Sequence, residues 1–279
     1  MHAGMRHDAV LHASAGMSAM SRFCRMSGAR GTIRSVKTNW RRQPGMKLRI
    51  FRFDPDRNDE PVEQEYEIDP ALAGPMLLDA LLYVREHLDA SLALRRSCRE
   101  GVCGSDGMNV NGVNVLACIT PLAELSEPVM IRPLPGLPLI RDLVVDMEPL
   151  LRNYRAVHPW LEADVAPAER ERLQTPAQRT ALQAADECIQ CGCCSSACPS
   201  FWWRPDEFAG PAALLAAWRF VADSRDVQTG PRLAGLAPGR RLFGCHGVMN
   251  CAAVCPKGLN PAAAIGTMKR WLLKSGQHR

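Results

Sequence analysis

A chain of 279 residues, 47% hydrophobic and 23% charged, is an ordinary globular sequence with room for two modest domains, and this excludes a disordered protein. The formal charge of +5 belongs to one end: residues 1–45 carry eight Lys/Arg against the single acid Asp8, which leaves residues 46–279 at −2, without the basic footprint of a nucleic-acid binder. No run approaches the ~18 apolar residues of a membrane span, since the best, Pro211 to Ala222, is short and contains Arg219, so any membrane attachment is expected through a partner.

Residues 1–45 are rich in Met, Ala, Ser, Gly and Arg, without periodicity. They resemble a mitochondrial transit peptide in being Arg-rich and acid-poor, or form a disordered upstream extension with Met46 as the start. The second reading is preferred, and both leave the segment outside the fold. From Lys47, Leu48, Ile50 and Phe53 lie in a β-rich run, with a turn through Asp54-Pro55-Asp56. Val62, Gln64, Tyr66 and Ile68 then alternate with Glu63, Glu65 and Glu67 as a half-buried strand. Pro75 opens a helical segment with Leu77, Leu81, Val84 and Leu88 on one side. Asn111-Gly112 between Val110 and Val113 signals a hairpin turn, and Val129 and Ile131 fall in a last strand.

A small mixed sheet crossed by one helix fits residues 46 to about 135. Pro133, Pro135, Gly136 and Pro138 read as a linker, which places a first domain at 46–138 and a second at 139–279. Beyond the linker the strand signals fade. Helices are expected near Arg141–Val157, Pro176–Ile189, Pro211–Ala222 and Pro261–Leu273, three of them opened by proline. The fold class is α+β, with a mostly α second half.

Twelve cysteines, bunched and with no secretory segment ahead of them, suit metal ligation better than disulfides. Cys98 and Cys103 stand four residues apart, Asp106 follows after two more, and Cys118 lies past the hairpin. This is the plant-type [2Fe–2S] spacing with aspartate in the third place. Carboxylate is a harder ligand than thiolate but still binds ferric iron. Asp106 is therefore the expected fourth ligand, with Ser105 or water as alternatives. Gly101, Gly104 and Gly107 let the loop bend so that backbone N–H groups face the cluster sulfurs.

Cys188, Cys191, Cys194 and Cys198-Pro199 match the bacterial ferredoxin run, in which the last cysteine serves the other cluster. A second run, Cys245, Cys251 and Cys255-Pro256, keeps that frame with Val248 in place of a cysteine. Cys188, Cys191, Cys194 and Cys255 thus supply four ligands for [4Fe–4S]. Cys198, Cys245 and Cys251 supply three, and [3Fe–4S] is expected. The paired spacings favour iron–sulfur over structural zinc. Cys193 falls outside the frame as a buried thiol, and Cys24 carries no signal.

Residues 95–105 (RRSCREGVCGS), 132–138 (RPLPGLP), 198–203 (CPSFWW) and 255–261 (CPKGLNP) resemble the succinate dehydrogenase iron–sulfur subunits, the succinate:quinone oxidoreductase family of bacterial type. The likeness runs from about Met46 to the C-terminus. It implies a plant-ferredoxin-like β-grasp domain followed by a helical bacterial-ferredoxin-like domain. It also implies a complex with a flavoprotein subunit, whose FAD oxidises succinate, and two cytochrome b type membrane-anchor subunits. Electrons would pass through [2Fe–2S], [4Fe–4S] and [3Fe–4S] to ubiquinone, with Pro199, Trp202, Trp203, His246 and Val248 in the quinone vicinity. The implied location is peripheral, on the cytoplasmic face of a bacterial inner membrane, or alternatively on the mitochondrial matrix face. The competing readings are a quinol:fumarate reductase subunit and a stand-alone multi-cluster ferredoxin. No flavin fingerprint is present in the chain, so it is not expected to oxidise succinate alone.

Overall fold

Met46, Leu48 and Ile50 alternate with Lys47 and Arg49 along β1 (Met46–Arg52), so one face is buried and the other meets solvent. The computed structural model describes residues 45–57, 60–163, 171–182 and 185–276, and the expectations for the segment before Gly45, Cys24 included, lie outside them. In β2 (Val62–Ile68) the expected alternation holds only for the second half. Tyr66 and Ile68 are buried, while Val62 and Gln64 are exposed, because β2 is the edge strand and its start overruns the core.

The one-turn α1 (Pro70–Ala73) is capped by Asp69, whose Oδ1 accepts from Ala71 N. In α2 (Leu77–Tyr83) an apolar face of Leu77, Leu78, Leu81 and Leu82 packs into the core. Pro75 stands two residues before this helix rather than in its first turn. At Val84–Leu88 the helix widens into a π turn, closed by Asp89 N donating to Val84 O at 2.8 Å. The extra residue rotates Leu88 off the stripe. Leu77, Leu81 and Val84 are fully buried, but Leu88 is 49% exposed, contrary to the helical pattern.

β3 (Gly107–Val110) and β4 (Val113–Leu116) form the expected hairpin. Asn111 and Gly112 have φ of 49° and 87°, the two positive values that a type I′ turn requires. β5 (Val129–Arg132) runs parallel to β1 and antiparallel to β3, giving a mixed sheet of order β2-β1-β5-β3-β4.

The proline-rich segment is packed rather than free, with Leu134 buried against the sheet core. It leads into a hairpin, β6 (Leu139–Arg141) and β7 (Val144–Val145), where a helix was expected from Arg141. Tertiary hydrogen bonds decide this. Asp142 Oδ1 accepts from Phe53 N and from Arg52 Nε, and Oδ2 accepts from Ala93 N. Arg52 also pairs with Asp89 and donates to the Tyr66 hydroxyl. The hairpin is thereby tied to the end of β1 and to the π turn, and Leu143 and Val145 join the sheet core. The helix begins only at α3 (Glu148–Arg155).

The remainder is helical. α4 (Pro176–Leu182) stops short of Ile189. The single turns α5 (Cys193–Ser196) and α6 (Pro199–Trp203) follow within the first ferredoxin-like run. α7 (Pro211–Val221) is almost wholly buried and touches α3, α8 (Thr229–Leu236) and α10 (Pro261–Gly276). α8 has no local signal because Gly230, Pro231 and Gly235 interrupt the pattern, but Pro231 falls in the first turn, where a missing N–H costs nothing. The short α9 (Asn250–Ala253) carries Cys251. Phe201, Phe208, Leu214, Leu242, Ile265 and Met268 make the second core. Among the described residues no helix is long and apolar enough to cross a membrane.

Candidate metal centres

The first site is a loop between the π turn and β3. Positive φ at Arg99 (64°) and Gly101 (71°) curls the backbone so that its N–H groups point at sulfur. Gly101 N donates to Cys118 Sγ at 3.3 Å, Val102 N and Cys103 N to Cys98 Sγ at 3.4 and 3.2 Å, and Cys98 N to Cys103 Sγ at 3.4 Å. Such donors stabilise thiolate charge, whether free or shared with iron. Ser105 Oγ lies 3.1 Å from Cys103 Sγ, and this hydrogen bond is the main reason that thiol is lowered to about 6. Cys118 is pushed up to about 12, first by burial and then by its neighbour Asp106.

Asp106 is 3% exposed. Its Oδ2 accepts from Cys118 N at 2.6 Å, while its buried Oδ1 has no hydrogen-bond partner. A buried, unpaired carboxylate oxygen costs free energy unless something electropositive faces it. Three sulfurs and one such oxygen on a single loop and hairpin fit a [2Fe–2S] group.

In the helical half the two cysteine runs cross. Cys188, Cys191, Cys194 and Cys255 line one cleft, and Cys198, Cys245 and Cys251 line another. Gln190 (φ 56°) and Gly192 (φ 83°) turn the first run around its cleft. Burial raises the Cys188 and Cys194 thiols, whereas a hydrogen bond from the Cys193 thiol is the chief cause lowering Cys191 to about 7. All eleven described cysteines are free of disulfides. Among the described residues no group of three or more His, Cys, Asp or Glu side chains is set to hold a single metal ion. An all-thiolate lining at ferredoxin spacing is the donor chemistry of iron–sulfur groups.

Val248, 57% exposed, lines the second of these clefts together with His246 and Pro199, and offers no donor atom. Trp203 is 76% exposed at the end of α6, outside the cleft lining. Trp202 is 42% exposed, and its indole N–H donates to Ser196 O at 2.6 Å. Lys269 Nζ donates to Cys245 O at 2.7 Å and ties α10 to the same loop.

Asn114 carries a role that no motif announces. It is buried on β4, and its Nδ2 donates to Cys193 O at 3.0 Å, joining the sheet to the second cysteine run. The only local hint is an amide set between Val113 and Val115 in a short strand.

Comparison with known proteins agrees with this geometry. The description "2Fe-2S iron-sulfur cluster binding domain" matches residues 47–152, and "4Fe-4S dicluster domain" matches residues 187–260. The chain is 51% identical over 231 residues to a succinate dehydrogenase iron-sulfur subunit of Coxiella burnetii, covering 82% of this chain and 97% of that protein. It is 47% identical over 229 residues to the mitochondrial succinate dehydrogenase [ubiquinone] iron-sulfur subunit 1 of Oryza sativa subsp. japonica, covering 81% and 82%. Among solved structures, a chain of the Mycobacterium smegmatis Sdh1 complex in the apo form superposes with a TM-score of 0.73 at 25% identity, over 83% of this chain and 97% of that one.

Proposed function

The chain belongs to the family of succinate dehydrogenase iron–sulfur subunits, and from that premise we propose how its three sites divide the passage of electrons. It is an electron-transfer subunit of succinate dehydrogenase, works within a multi-subunit complex, and has [2Fe–2S] and [4Fe–4S] domains. In the proposed division, Cys98, Cys103, Cys118 and Asp106 hold [2Fe–2S], and Cys188, Cys191, Cys194 and Cys255 hold [4Fe–4S]. Cys198, Cys245 and Cys251 hold [3Fe–4S]. The observation that carries it is the crossed set of thiols, with Val248 lining the three-thiol cleft without a donor.

The bound clusters supply one-electron oxidation and reduction with no bond made or broken. The chain's own residues fix where that happens. Backbone N–H groups of Cys98, Gly101, Val102 and Cys103 orient the first set of sulfurs, and Asp106 would complete it with a hard oxygen. At the far end a His246 ring nitrogen would donate a hydrogen bond to ubiquinone, and Trp203 would offer an indole donor and a flat face. Pro199 and Val248 border the cleft that His246 also lines. The two electrons would come from succinate, oxidised on the FAD of a flavoprotein partner with fumarate and two protons released. They leave, with two protons, as ubiquinol, at a site shared with two membrane-anchor chains. Those chains keep this subunit peripheral, on the cytoplasmic face of a bacterial inner membrane (or the matrix face in an organelle). The succinate-oxidising direction is supported over fumarate reduction by the relatives' names.

EPR of the purified complex, oxidised and then reduced, tests the assignment. A [3Fe–4S] signal when oxidised and a [2Fe–2S] signal on reduction are expected. Absence of the oxidised-state signal overturns the three-thiol site. In the same complex Trp203→Ala or His246→Ala should impair ubiquinone reduction and spare succinate oxidation with an artificial acceptor. Equal loss of both activities, with depleted clusters, would reduce these residues to supports of the fold.

A further inference from the structure

We propose that Asn114 is a positioning residue for electron passage from the first site to the second, holding the Cys191–Cys193 turn against the glycine loop of the first site. This rests on the ligand sets proposed above.

The two cysteine loops meet closely at glycines of the first. Gly104 has φ +67°, and a Cβ built on it would stand 2.7 Å from Cys191 Cβ, 2.9 Å from Cys191 Cα and 3.1 Å from Ile189 O. A Cβ on Gly107 would stand 3.1 Å from Cys191 O and 3.5 Å from Cys193 Sγ. Glycine at 104 therefore does more than allow a bend. It lets the backbone of the first loop touch a ligand residue of the second site, where any larger residue would push the loops apart.

Asn114 fixes that contact. Its carboxamide is 3% exposed and doubly engaged: Oδ1 accepts from Asn109 Nδ2 at 2.8 Å, which sets the amide's orientation, and Nδ2 donates to Cys193 O at 3.0 Å. The Cys193 thiol reaches back to Val115 O at 3.8 Å, a second and weaker tie between the same elements. A buried amide on a short strand carries a desolvation cost that an apolar residue would avoid. Its return here is a fixed spacing between the loops. The step served moves one electron from the group held by Cys98 and its partners to the group held by Cys191 and its partners. The first is oxidised and the second reduced by that one electron, and no proton or bond is transferred. Such a step weakens exponentially with the gap, so small displacements of the loops have large effects on rate.

The test uses the assembled complex carrying Asn114→Ala, Asn109→Ala or Gly104→Ala. Cluster content is counted by EPR spin quantitation, magnetic coupling between the first and second centres is read from relaxation of the first centre's reduced signal, and internal electron passage is timed after rapid reduction by succinate. The expected result is retained clusters with weaker coupling and several-fold slower passage in Asn114→Ala and Gly104→Ala, and a smaller change of the same sign in Asn109→Ala, which leaves Asn114 in place but unsupported. Wild-type coupling and rate in cluster-loaded Asn114→Ala and Gly104→Ala overturn the proposal and leave Asn114 as a satisfied core amide. If Asn114→Ala loses its clusters, Asn109→Ala and Gly104→Ala decide by the same two readouts. A wild-type complex that lacks the first or second centre would instead overturn the ligand sets.

Discussion

Gly136→Ala should damage the proposed quinone end of the subunit without altering any of the proposed ligands. Gly136 has φ +73°, and a Cβ there would overlap Trp202 Cδ1 and lie 2.7 Å from its Nε1. Placing alanine in this left-handed region costs about 1–2 kcal/mol by itself. Trp202 is 42% exposed and has room to swing outward, so the overlap is relieved by rotation rather than by compression. Rotation breaks the 2.6 Å hydrogen bond from Trp202 Nε1 to Ser196 O, and Ser196 is fully buried. A buried carbonyl stripped of its donor costs about 1–3 kcal/mol. The combined loss is about 3 kcal/mol, and the indole that swings out neighbours Trp203 on α6, in the proposed quinone vicinity. Urea unfolding of wild type and variant measures the first effect. The second is read as the ratio of ubiquinone reduction to artificial-acceptor reduction, which should fall. Trp202→Phe isolates the hydrogen bond, because it keeps a ring and glycine's freedom while removing the N–H. An unchanged urea midpoint in Gly136→Ala would refute the reasoning, since strain and the stranded carbonyl cannot both vanish.

Val248→Cys should supply a fourth thiol to the cleft of Cys198, Cys245 and Cys251, and abolish the oxidised-state [3Fe–4S] EPR signal in favour of [4Fe–4S]. Asp106→Cys should keep a [2Fe–2S] centre because it restores the all-thiolate pattern, whereas Asp106→Ala should lower its occupancy; full occupancy with an unaltered spectrum in the alanine variant would make Asp106 a turn residue only. Arg52→Ala should lower stability by about 1.5–3 kcal/mol in urea unfolding, because Asp142 and Asp89, with side chains 3% and 21% exposed, lose a partly buried charged donor.

Local chemistry made much of this molecule readable in advance. The Asn111-Gly112 turn needs no context, since two residues that tolerate positive φ between alternating apolar positions specify a hairpin. The cysteine runs are equally self-sufficient as a domain signature, because ferredoxin spacing is read without tertiary context, and residues 187–260 match a 4Fe-4S dicluster domain. Elements that depend on distant partners were not legible. Hairpin β6–β7 exists because Asp142 is held by Arg52, Phe53 and Ala93, all far away in sequence. Leu88 fits a helical stripe until one π turn, which puts Asp89 beside Arg52 and Tyr66, rotates it outward. Val62 obeys the strand period and is still exposed, because period alone does not say where a sheet ends.

The crossing of the two cysteine runs has a consequence for biogenesis. Cys198 sits with Cys245 and Cys251, and Cys255 sits with Cys188, Cys191 and Cys194. Neither cleft is therefore complete on a nascent chain that ends before residue 245, however well its first run has folded. A subunit caught partway through synthesis has no finished place for iron in its helical half. With the proposed ligand sets, each centre would staple the same two stretches of chain once both runs have emerged, as a pair of interlocked clasps would. The segment from 199 to 244 would then be fastened at both ends, and a nick within it would leave both halves in place.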